Sequence, residues 1–211
     1  MDSTNTRKTG TTTIGMKFKD GILLAADKRA TAGNLIANKE IQKVFPINDN
    51  LALTTAGSVS DVQLQMKLLK AELNLKQIRC SREVTVKEGA NLLAGMVYEN
   101  IRKFSSMQGI SHFLFAGKDE TGFHLYDIYP DGSISEADDY ISSGSGSVFS
   151  LGVLEALYKP NLSMEDAKSL AIKCLNASLQ RDSASGNGFD MLTITSKGIS
   201  ALQTKILNNK L

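Results

Sequence analysis

The amino-acid sequence predicts an α+β chain in four layers: two β-sheets packed face to face, each covered outside by a pair of helices, an αββα sandwich. Three observations carry this. Hairpin signals and helices come in blocks, in the order hairpins, two helices, hairpin, two helices, hairpin. The run Ile22-Leu23-Leu24-Ala25-Ala26 is continuously apolar, the pattern of a strand covered on both faces. Helices that arrive in pairs supply the outer cover that two packed sheets need. The 211 residues fit one domain with a substantial core, and no repeat, long linker or low-complexity segment marks a second.

Residues 12–28 read as two strands joined at Asp20-Gly21, a type I′ hairpin signal. The second strand stops at a sudden charge cluster, Asp27-Lys28-Arg29. Residues 30–40 read as a loop around Gly33-Asn34, and 42–47 with 51–56 as a second hairpin. Gly57-Ser58 stops that hairpin and opens a helix capped by Ser58 or Ser60. Its apolar face is Val62, Met66, Leu69 and Leu73, widened by Leu64, Leu68 and Leu75. Thr85 and Glu88 form a T-x-x-E capping box for a second helix, with Leu93, Met96, Val97, Ile101 and Phe104 on its buried face. Strands return at 113–117 and 123–129, before the turn Pro130-Asp131-Gly132. The loop Ser142-Ser143-Gly144-Ser145-Gly146-Ser147 leads into a helix over 148–158. Ser163 caps a fourth helix, whose Ala167, Leu170, Ala171, Cys174, Leu175 and Ser178 keep the 3.6-residue period. A polar loop over 181–188 precedes a last hairpin, 189–195 and 199–204, turning at Lys197-Gly198.

Bulk properties exclude several classes. The net charge of +2 comes from interspersed signs, leaving no basic block for nucleic acid or an anionic membrane. No apolar run approaches the roughly 20 residues of a membrane span. Cys80 and Cys174 lie far apart with no CxxC partner, so neither a disulfide framework nor a zinc site is expected, and each reads as a buried or half-buried helix residue. The first ten residues, MDSTNTRKTG, lack the apolar centre of a secretory signal. They read as a removable leader on an intracellular, cytoplasmic protein.

The chemistry centres on Thr9-Gly10-Thr11-Thr12-Thr13-Ile14-Gly15. A cut after Gly10 would leave Thr11 with a hydroxyl and a free α-amine on adjacent carbons. The hydroxyl is a weak nucleophile until a base takes its proton, and the amine is a base placed beside it. Its ordinary pKa of about 7.7–8.0 suits that task. Before the cut the same nitrogen is an amide without basicity. The bland alternative is that Gly-Thr-Thr-Thr is only a β-prone run. Asp27, Lys43, Ser145, Asp182 and Ser185 also stand near the ends of strands and in loops, where sites form. Each also has a plain reading as a strand-end charge, a snorkelling lysine, a helix start or a surface pair. The glycine loop lacks the G-x-x-x-x-G-K-[ST] phosphate pattern. His112 and His124 fall in strand pairs, where structural histidines predominate.

Taken together, Thr11-Thr12-Thr13-Ile14-Gly15, Lys43, Thr54-Thr55-Ala56-Gly57, the Gly-Ser-Gly-Ser loop and Arg181-Asp182-Ser183-Ala184-Ser185-Gly186 resemble the β subunits of archaeal-type 20S proteasomes, from Thr11 to about Thr204. The resemblance implies the four-layer N-terminal nucleophile hydrolase fold, a leader of residues 1–10 removed by the chain itself, and a single catalytic domain over 11–211. It implies that Thr11 attacks the peptide carbonyl, with Lys43 beside it and Asp27 orienting Lys43 and keeping it charged. Ser145, Asp182 and Ser185 would hold the amine and a water, and the Gly57 N–H would be the oxyanion donor. Thr31 would pair with extended substrate. Ala30, Ile41, Phe45, Thr55, Val59 and Gln63 would line a mostly apolar pocket for the residue before the cut. The implied partners are α subunits, other β subunits in stacked seven-membered rings, a regulatory ATPase unfoldase and unfolded polypeptides; no cofactor or metal is required. Rival readings are a non-catalytic ring subunit, the bacterial two-ring peptidase that works with an unfoldase, and a small-molecule amidase.

Overall fold

The computed structural model describes residues 10–105 and 108–206, so residues 1–9 of the expected leader lie outside it. One sheet holds β1 (Thr13–Phe18), β2 (Gly21–Asp27), β10 (Tyr140–Ser143), β11 (Gly188–Thr195) and β12 (Gly198–Ile206), in the order β10-β1-β2-β11-β12. The other holds β5 (Val44–Pro46), β6 (Leu51–Gly57), β7 (Ser111–Asp119), β8 (Gly122–Ile128) and β9 (Ile134–Ala137), in chain order. Their ladders are antiparallel.

The continuous apolar run of β2 is explained by what lies on each side. Ile22, Leu24 and Ala26 face the second sheet and pack with Val44, Ala52, Leu114 and Leu125. Leu23 and Ala25 point the other way, the strand period being two, and meet Leu154, Leu170 and Cys174. Those belong to α3 (Ser147–Leu157) and α4 (Met164–Arg181). On the far side, Leu53, Phe113 and Phe115 pack against Leu69, Leu93 and Val97 of α1 (Val59–Cys80) and α2 (Val86–Arg102). Helices, two sheets and helices therefore stack as expected.

Several expectations need correction. The 30–40 segment is a small hairpin, β3 (Ala30–Ala32) with β4 (Leu35–Asn38), rather than a loop. Strands β9 and β10 were not foreseen: both are four residues long, and the pairing of Ser143 with Thr13 and Ala137 with Leu125 supplies an order their composition does not. Leu64, Leu68 and Leu75 do not widen the buried face of α1 but lie exposed, while Gln65 is buried. Phe104 lies beyond the end of α2 and is fully exposed. Cys80 is exposed, Cys174 buried. Ser58 stands at the cap of α1 without a side-chain cap bond. By contrast, the Thr85–Glu88 capping box forms, and the six residues expected on the inner face of α4 are all buried.

Candidate active site

The site lies at one end of the sandwich, where β1 begins, β2 and β6 end, and the loops before α3 and after α4 converge. Thr11 and Lys43 are each 5% exposed and Asp27 1%. Lys43 stands one residue before β5 rather than inside a strand, with its carbonyl held by the N–H of Thr55 at 2.9 Å. Its ammonium donates to Asp27 Oδ1 at 2.7 Å and to Thr11 Oγ1 at 3.0 Å. The Thr11 hydroxyl in turn donates to the carbonyl oxygen of Gly10 at 2.6 Å, across an intact peptide bond.

Asp27 is a hub. Besides Lys43, Oδ1 accepts the N–H of Thr12 at 3.0 Å, and Oδ2 accepts those of Arg29 at 3.0 Å and Gly186 at 2.9 Å. Burial pushes the Lys43 amine below the usual lysine range, because a charged ammonium loses its water there. Asp27 pulls it back up through charge and hydrogen bond, and Asp182 helps, but burial is the larger influence. Asp27 thus sits within hydrogen-bond reach of Lys43, and the net effect of burial and partners is downward.

Ser145 Oγ accepts the Thr11 N–H at 3.2 Å and donates to Asp182 Oδ2 at 2.6 Å. Ser185 donates to the same oxygen at 2.6 Å, but its other partner is the hydroxyl of Thr12 at 2.7 Å, so it reaches residue 11 only through neighbours. Thr12, one residue before β1, is not among the residues the sequence marks, yet its hydroxyl meets the loop after α4. Gly57, at φ +116°, ends β6 beside Ser111, and a Cβ there would meet the Ile110 carbonyl at 2.3 Å.

Beside Thr11 a cavity of about 80 Å³ opens. Ala30, Ile41, Phe45, Thr55, Val59 and Gln63, the six expected pocket residues, all line it, together with Thr31, Gly57 and Gly10. Val62 and Met66 also line it, while Val62 remains in the α1–α2 core as its spacing predicts and Met66 packs against that core. Among the described residues no carboxylate lines it. The Thr31 hydroxyl accepts the Gly10 N–H at 3.4 Å. Both histidines sit elsewhere, His112 against Asp127 at 2.6 Å and His124 against Glu136 at 2.7 Å.

A family model described as proteasome subunit matches residues 7–194, which include the whole cluster. The chain belongs to the proteasome subunit family. Among relatives in that family, the proteasome subunit beta of Ferroglobus placidus is 43% identical over 188 residues, 89% of this chain and 88% of its own length. That of Nanoarchaeum equitans is 42% identical over 193 residues, 91% of this chain and 96% of its own. That of Methanosphaerula palustris is 40% identical over 201 residues, covering 94% and 92%. No helix among the described residues of this family member is long and apolar enough to cross a membrane.

Proposed function

We propose that this chain is a catalytic β-type subunit of a proteasome core particle, a threonine endopeptidase made as a precursor and activated by cleavage between Gly10 and Thr11. One observation carries the reading. The Thr11 hydroxyl lies between a buried lysine amine and the carbonyl of the bond to be broken.

Two chemical stages follow. In the uncut chain residue 11 has only an amide nitrogen, so Lys43, whose burial lowers its hold on its proton, is the amine in contact with the hydroxyl and takes the base's role. Thr11 Oγ1 adds to the Gly10 carbonyl carbon, the C–N bond breaks to leave an ester and a free α-amine, and water hydrolyses the ester. Afterwards that α-amine, held by Ser145, takes the hydroxyl proton during attack on a substrate carbonyl. The peptide amine leaves with a proton, and water releases the acyl group. The Gly57 N–H supports the oxyanion, a donor typically worth about 2.7–4 kcal/mol. Thr31 pairs with the extended substrate backbone.

The apolar pocket favours apolar or aromatic residues before the cut. Exposed leucines on α1, with Val148, Leu151 and Leu157 on α3, supply apolar surface for contacts with other subunits. The partners are α subunits, further β subunits in stacked seven-membered rings, and an ATPase unfoldase that feeds unfolded chains to a cytoplasmic particle. A non-catalytic ring subunit has no need of the Thr11–Lys43–Asp27 contacts.

The test is Thr11→Ala in assembled particles. Intact mass should show residues 1–10 retained, and peptide hydrolysis should vanish, while Thr11→Ser keeps part of both. Robust hydrolysis by the alanine variant rejects the reading, as does a parent N-terminus at Thr12 or Thr13.

A further inference from the structure

The charge cluster Asp27-Lys28-Arg29 puts only its first member to chemical use. We infer that Arg29 is a positioning residue, a clamp that fixes the 182–187 turn and through it the side chains around Thr11. The inference rests on the threonine reading above.

The geometry is forked. Arg29 Nε donates to Asn187 Oδ1 at 2.8 Å and an Nη to the Ser183 carbonyl at 2.8 Å, so one guanidinium bridges both arms of the turn. A planar fork holds two acceptors in fixed relation, which an ammonium on a flexible stem does not. The turn needs holding. Asn187 sits at φ +64°, and a Cβ on Gly186 would lie 2.3 Å from the guanidinium, so the backbone there passes against the arginine's face. Besides the contacts of Ser185 with Thr12 and of Asp182 with Ser145, further grips come from the same three residues. Asp27 Oδ2 takes the Gly186 N–H, and the Lys28 N–H is shared by the carbonyls of Gly186 and Gly188 at 3.2 and 3.1 Å.

Inside the clamped turn sit Asp182 and Ser185. Asp182 Oδ2 accepts from both Ser145 and Ser185, and Ser145 receives the Thr11 nitrogen. Freeing the turn therefore moves the oxygen that sets Ser145, and with it the group meant to hold the α-amine. Arg29 touches no reacting atom. Its loss should lower turnover while leaving apolar substrate binding nearly intact, because misplacement by about 1 Å can cost on the order of a hundredfold.

The experiment compares Arg29→Gln, Arg29→Lys, Asn187→Gly and the Gln/Gly double variant as assembled particles, with N-termini checked by mass. Asn187→Gly keeps the positive φ and removes one acceptor. The readouts are kcat and KM for a fluorogenic peptide with an aromatic residue before the cut, and the unfolding midpoint. The expected result for Arg29→Gln is a kcat loss of roughly tenfold to a hundredfold, with KM within about threefold. Arg29→Lys should lose most of that too, although its charge is kept. The double variant should be little worse than Arg29→Gln, since the Asn187 contact that Asn187→Gly removes is already lost with the guanidinium. Parent-like kcat in Arg29→Gln, full rescue by lysine, or losses that multiply in the double variant each overturn the clamp. Where Arg29→Gln does not assemble, Asn187→Gly decides alone, and parent-like kcat there overturns it. A parent without hydrolysis, or an active Thr11→Ala, defeats the threonine reading instead and is seen before any Arg29 variant is made.

Discussion

Replacing Lys43 by methionine separates its chemical role from its structural one. Breaking a buried ion pair by removing one partner usually costs about 3–5 kcal/mol, because a charge is left buried alone. Here Asp27 keeps three backbone N–H donors, from Thr12, Arg29 and Gly186. Methionine also fills the space without the penalty of burying an ammonium. The stability loss should therefore be smaller, about 1–3 kcal/mol. Activity should fall far more: a positioned proton-transfer group contributes about 10²–10⁴ in rate, or roughly 2.7–5.5 kcal/mol of barrier. The assay pairs intact mass, for leader removal, with peptide hydrolysis and thermal unfolding of assembled particles. Lys43→Arg is the companion, since arginine stays charged and cannot serve as a neutral base. It should fail as methionine does. Near-parent turnover in either variant, or hydrolysis that falls only in step with unfolding, would refute the reasoning. The pH dependence has a definite sign. With the folded pKa below the ordinary lysine value of about 10.4, the unfolded chain binds the extra proton between the two values. Stability should fall as pH drops from about 10.4 toward the folded value, and Lys43→Met should flatten that slope.

Other outcomes can be checked alongside. Gly10→Ala places a Cβ 1.7 Å from that of Ala184, so leader removal, followed by mass against time, should slow sharply while Gly10→Ala chains still fold. Glu88→Gln weakens the capping box and the contacts to Arg82 and Lys76, for about 1 kcal/mol in urea unfolding at neutral pH. Arg82 and the Thr85 N–H hold the Glu88 carboxyl well below its usual range, so that difference should be full above about pH 4.3 and shrink below it. A substrate panel varying the residue before the cut should rank leucine and phenylalanine well above aspartate by kcat/KM; an acidic preference would contradict the lining by Ile41, Phe45, Val59 and Met66.

Much of the architecture was legible because it depends on local pattern. The doubly apolar β2, the capping box at Thr85 and the inner face of α4 follow from periodicity and cap chemistry, which act within one or two turns of chain. The errors have two causes. Strand β10 owes its order to β1, far away in sequence, and Leu64, Leu68 and Leu75 look like core residues to any rule blind to what stands opposite them. Strand β9 and the β3–β4 hairpin pair with near neighbours, but their short, mixed composition carries no strand pattern of its own.

The sequence by itself determined the layer order, and the family its motifs resemble implied Thr11, Lys43, Asp27 and the pocket residues as one set. Only the tertiary structure decided that Ser185 meets Thr12 rather than Thr11, that Val62 and Met66 belong to the pocket, and that Arg29 spans a turn 154 residues further along. The physical reason is range. Periodicity encodes which face of an element is buried, but hydrogen bonds form between atoms within about 3 Å, and which distant loops come that close is fixed only when both sheets and all four helices have packed.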